Sequence, residues 1–143
     1  MQLQASDLEA ADDSAKLAIL ECMLLAIFAD GQVTTDEIRK FDAIGEKLPW
    51  GMEKPVLIAL IKGAQERMKA LTTPQAISDF VANIATRVPS QPLREKIVYT
   101  MAVLAASDGA LHQFEKNVLG LVCVSFNITT DRVKEIKAAV SKA

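Results

Sequence analysis

An internal repeat constrains this chain more than any other feature. Setting Asp30-Gly31 on Asp108-Gly109, 78 positions apart, superimposes the stretches at about 14–48 and 92–126 without a gap. Ile19 then falls on Ile97, Met23 on Met101, Leu25 on Val103 and Val33 on Leu111, followed by Glu37 on Glu115, Phe41 on Leu119 and Ile44 on Val122. Identities are few, yet the apolar phase holds through both halves of each unit. Apolar residues recur three and four positions apart, which is the helical period, so each unit predicts a helix, a turn and a second helix. Two such units predict an all-α, pseudo-twofold bundle, with the leading helices paired at its centre and the second helices outside them.

Glycine and proline fall mostly between the periodic intervals and set their ends. The first helix is expected from about Asp13 to Ala29 and the second from about Thr35 to Lys47, with Ile38, Phe41, Ile44 and Leu48 inward and Pro49 as the stop. Leu17, Leu20, Leu24 and Phe28 line one face of the first helix, and Ile19, Met23 and Ile27 fill another. A helix apolar nearly all round belongs in the centre of a bundle. A third helix follows "WGMEKP", with Pro55 tolerated in its first turn, and is expected to bury Val56, Leu60, Ile61, Ala64 and Met68. Thr73-Pro74 starts a fourth, and "PSQP" separates it from a fifth at about Pro92 to Ser107. A sixth is expected from about Gln113 to Phe126, with Asn127 as a left-handed terminator, and Thr129 caps a last, short one. The outcome is about seven helices in a single domain over residues 1–143, with flexibility expected in residues 1–12, which precede the first unit.

Bulk properties narrow the function classes. Half of the 143 residues are apolar, enough for a substantial core, and the formal net charge is -2. A balance this even gives no broad basic footprint, so nucleic acid is not expected as a partner. The start, "MQLQASDLEAADD", is acidic and lacks the basic and apolar regions of a secretory signal. The longest strongly apolar stretch, "AILECMLLAIFA", is too short to span a bilayer and contains Glu21, so membrane insertion is not expected either. Cys22 and Cys123 lie in apolar helical patterns with no CxxC spacing, which suits two reduced, buried thiols in a cytoplasmic protein.

Chemistry concentrates where the repeat turns. "FADGQVTTDE" and "ASDGALHQFE" share an Asp-Gly pair, an apolar residue two positions after the Gly, and a Glu six after it. With Asp30 at position 5 of a calcium loop, Gly31 falls at 6, Val33 at 8 and Glu37 at 12; Asp108, Gly109, Leu111 and Glu115 fall likewise. Positions 1 and 3 are Ala26 and Phe28 in one copy, Leu104 and Ala106 in the other. These supply no side-chain oxygens, and calcium needs six to eight, so neither copy makes an ordinary EF-hand.

Two accounts of the acidic pairs stay open. In one they only shape turns: Thr34-Thr35-Asp36-Glu37 reads as a capping box, and Asp30 and Asp108 meet the N–H groups of the following helices. In the other, Asp30, Glu37, Asp108 and Glu115 converge across the pseudo-twofold axis. Four carboxylates make an oxygen-only site suited to calcium, magnesium or manganese. Both Asp residues sit where a helix ends, where the dipole disfavours an anion by about 0.3–1 kcal/mol, so each needs an offsetting partner.

The stretch "LLAIFADGQVTTDEIRKFDAIGEKL" resembles the first helical pair of the TerB-like family, and "AVLAASDGALHQFEKNVLGLV" is similar to its second. The resemblance covers about residues 14 to 140. It implies a seven-helix all-α fold and a non-catalytic role in tellurite resistance or stress response, with metal sensing or scaffolding in bacterial, phage or membrane-associated complexes. Related domains occur in DnaJ-type cochaperones. The family's acidic positions carry over as Asp30, Glu37, Asp108 and Glu115. The function expected is an interaction domain with a protein partner, a homodimer staying open, tuned by a divalent cation at the paired acidic loops. The alternative is a metal-free structural or cochaperone-type module whose Asp/Glu pairs only cap helices.

Little points to an enzyme. No Ser-His-acid or Cys-His group can be assembled and no phosphate loop is present, so no catalytic residue and no cofactor other than a cation is expected. His112 with Glu115 and Asp108 makes a weak HxxE pattern, more in keeping with a solvated residue near a helix start. Trp50, in "LPWGMEKP", suits either a lid on the core or an anchor for a partner.

Overall fold

The computed structural model describes residues 1–28, 35–106 and 113–142, less the side chains of Glu37 and of Gln113 to Lys116. Eight α-helices make up these residues, and no strand occurs among them: α1 (Ala5–Glu9), α2 (Asp13–Phe28), α3 (Thr35–Glu46), α4 (Lys54–Lys69), α5 (Pro74–Arg87), α6 (Gln91–Ala105), α7 (Gln113–Ser125) and α8 (Thr130–Ser141). The class is all-α, as the periodicity predicts, with one helix more than expected.

The extra element is α1. Five residues are too few to show a period. Its hold is tertiary: Leu8 is fully buried, and Asp7 accepts 3.0 Å bonds on both carboxylate oxygens from Lys96 Nζ of α6. Asp7 also accepts from the Gln4 backbone N–H at 2.7 Å, which closes the helix start. Two caps read in the sequence form as expected, while the Thr34 capping box lies outside the described residues. Thr73 accepts from the Ala76 N–H at 3.1 Å, and Thr129 from the Arg132 N–H at 3.2 Å. Asn127 adopts a positive φ of 55°, ending α7 through the left-handed region.

α2 is the central helix. Ala18 to Ile27 are all buried, which its apolar surround requires. Its largest contact is with α6, its counterpart in the repeat, while α3 packs on both and α7 on α6, α5 and α2. The starts of α2 and α6 lie side by side, for Asp12, Ala15, Ser90 and Leu93 line one cavity of about 260 Å³. Helices that begin together and pack along their length run the same way. The leading helices of the repeat are therefore paired at the centre of the described part of the fold.

Arg94 ties three helix ends together. It donates to the Val88 carbonyl at 2.6 Å, the Ala85 carbonyl at 2.8 Å and the Phe126 carbonyl at 3.3 Å. Its guanidinium also lies 5.5 Å from the Phe126 ring centre, a cation–π distance. The carbonyls left open at the ends of α5 and α7 thus find a charged donor.

Candidate functional site

Of the four acidic residues singled out in the repeat, Asp30 and Asp108 lie outside the described residues. Glu37 falls in α3 and Glu115 in α7, with their side chains outside the described set, as is His112. Among the described residues no three His, Cys, Asp or Glu side chains come together as a metal-binding group.

What the tertiary structure does assemble is an ion pair inside the bundle. Glu21 sits on α2 among Leu20, Cys22 and Met23 and is 2% exposed. Arg87 at the end of α5 reaches it with Nη2 2.6 Å from Oε1, and Arg67 of α4 approaches Oε2 at 3.5 Å. Arg87 Nε is buried with no hydrogen-bond partner among the described residues. Nothing local in the sequence pairs Glu21 with residues 46 and 66 positions away; a charge on an otherwise apolar central helix was the available signal.

Both cysteines are buried and free, as expected. Burial pushes the Cys22 thiol far up, the neighbouring Glu21 charge adds to this, and Arg87 opposes it. Burial likewise pushes Cys123 up, against a smaller pull from Lys137. Thiolate is the reactive form, so neither is a nucleophile at neutral pH.

The second feature is a groove of about 870 Å³ between α3 and α4, closed at one end by the connecting loop. Phe41 and Gly45 of α3 form one wall, Leu57, Ile58 and Ile61 of α4 the other, and Trp50 lies at the closed end. Trp50 is buried and donates from Nε1 to the Gly45 carbonyl at 3.0 Å, so it packs as a lid and braces the loop to α3. Gly51 beside it has φ +70°, a conformation glycine adopts without strain.

This region departs from the sequence expectation. Val56 and Ile38 were expected inward, yet they are 50% and 47% exposed, and Ile58 is 42% exposed. Of the α4 set only Ala64 is fully buried; Leu60, Ile61 and Met68 are half-buried. The reason is geometric: α4 packs chiefly against α2, and its apolar residues are spread around more of the helix than one neighbour can cover.

The fold thus defines an all-α domain whose helical pairs α2/α3 and α6/α7 pack through the central α2 and its neighbour α6. Residues 16–138, nearly the whole chain, match the family described as tellurite resistance protein TerB, and the chain belongs to that family. No curated protein and no solved structure gave a match.

Proposed function

We propose that this chain is a non-catalytic interaction domain of the TerB type, which binds a protein partner through its α3/α4 face. A divalent cation held by Asp30, Glu37, Asp108 and Glu115 tunes it. The observation that carries the interaction role is an apolar groove open to solvent: Phe41 of α3 and Leu57, Ile58 and Ile61 of α4 line it, with Ile58 42% exposed, while the same chain buries nearly every apolar residue of α2. A cluster of exposed apolar side chains around a groove is the usual mark of a binding surface.

The test is substitution of Ile58→Glu, read by urea unfolding. Solvent-facing positions accept charge within about 0.5 kcal/mol, whereas burying a carboxylate in the core costs several times more. A stability loss above about 2 kcal/mol would mark the groove wall as core and remove the proposal.

The cation role is supported by donor chemistry and by the common direction of α2 and α6, the helices that lead into the two Asp-Gly turns. Calcium, magnesium or manganese at about a hundredfold excess over its Kd would raise stability by about 2.7 kcal/mol. That rise is expected in the native chain and not in Asp30→Asn/Asp108→Asn. No rise in the native chain leaves the metal-free capping role.

A further inference from the structure

We propose that the α3/α4 groove takes a basic amphipathic helix of a partner protein, two to three turns seated in the groove with lysine or arginine on the flanks. This rests on the interaction role proposed above and names the partner's chemistry.

The groove supplies three observations. Its walls are apolar, with Phe41 of α3 across from Leu57, Ile58 and Ile61 of α4, the kind of surface that receives anchors spaced three and four residues apart on a helix. The wall has room at Gly45, where an added Cβ would meet no atom within 4 Å. Its rim is acidic: Asp42, Glu46 and Glu53 line it against Lys54. None of the three acids is in an ion pair among the described residues. Asp42 and Glu46 lie four apart on one helix face, where like charges repel. Glu53 stands at the N-cap of α4 yet makes no capping bond, leaving its carboxylate free.

A cationic flank relieves that repulsion and answers all three acids at once. The same charges argue against a second copy of this chain as the occupant. A symmetric contact through this face would bring two acidic rims together.

The test is selection from a phage-displayed library of amphipathic helical peptides against the full chain. Enriched peptides are expected to carry apolar anchors at helical spacing and at least two flanking Lys or Arg. Their affinity should fall about tenfold or more in Gly45→Leu, which fills the groove at a position with room for a side chain. Asp42→Lys/Glu46→Lys should weaken binding by a similar factor, and rising salt should weaken it progressively. Thermal unfolding of each variant checks that the fold is kept; Gly45→Leu replaces a helical glycine and is expected to unfold no earlier than the native chain. Enrichment of neutral or acidic peptides, or binding indifferent to the charge reversal, overturns the basic partner while leaving the groove as an interaction site. No enrichment, or binding unchanged in Gly45→Leu, overturns the groove as the site. A concentration-dependent dimer by sedimentation that Gly45→Leu abolishes overturns it in favour of a second copy.

Discussion

Arg87 Nη2 lies 2.6 Å from Glu21 Oε1, joining the end of α5 to the middle of the central helix. The carboxylate is almost fully enclosed, while the Arg87 side chain retains 19% of its exposure. Taking one member from a buried pair strands the other, a loss of about 3–5 kcal/mol. Arg87 can recover some water, so Glu21→Ala is expected at the lower end, about 3 kcal/mol, by urea denaturation. Replacing both at once, Glu21→Met with Arg87→Met, should restore much of that loss, because no charge is then left in the interior. Arg67 is the outer partner, its side chain half exposed, and Arg67→Ala should cost under about 1 kcal/mol. If the double variant is no more stable than Glu21→Ala, packing rather than charge accounts for the loss.

Arg94 offers a separate test, since its partners are carbonyls rather than carboxylates. A lysine there keeps the charge but loses the planar fork that reaches Val88, Ala85 and Phe126 together. Arg94→Lys should therefore destabilise by about 2 kcal/mol, the order of one or two lost charge-assisted bonds. Equal stability of Arg94→Lys and the native chain in chemical denaturation would show that the fork contributes nothing.

Cys22 predicts a pH dependence with a definite sign. Burial keeps its thiol protonated in the folded chain well above the ordinary value of 9.0. The unfolded chain gives that proton up, so above about pH 9 it binds fewer protons than the native state and stability falls as pH rises. The slope for one thiol is about 1.4 kcal/mol per pH unit. Unfolding free energies measured from pH 8 to 10.5 should show this decline, flattened in Cys22→Ala. Alkylation by iodoacetamide at neutral pH should proceed at Cys22 only as fast as the chain opens. Modification of Cys22 at the rate of a free thiol in native protein would contradict its burial.

Much of the fold was legible because it is written in local chemistry. The helical period marked α2 to α8, Thr73 and Thr129 announced their own helices, and Asn127 terminated α7 as its side chain permits. α1 escaped because a five-residue helix has no period; it is held by Leu8 in the core and by Lys96 from far along the chain. The acidic repeat was legible as a motif, and two of its four residues lie outside the described part of the fold. The sequence around Trp50 suits a lid or an anchor alike, and its bond to Gly45 makes it a lid that also ends the groove.

By itself, then, the sequence determined the all-α class, the doubled helical pair and the caps at Thr73 and Thr129, since propensity, capping and apolar phase act over a few residues. Only the tertiary structure decided which apolar faces found a partner. Periodicity says that a stripe on α4 could be buried, but burial needs a second surface of matching width, and α2 covers only part of it. The same holds for Glu21: its place on an apolar helix marked it as costly, and only the packing of α4 and α5 brought Arg67 and Arg87 to meet it. Desolvation sets the cost at one residue, whereas the offset comes from elements the chain brings together from a distance.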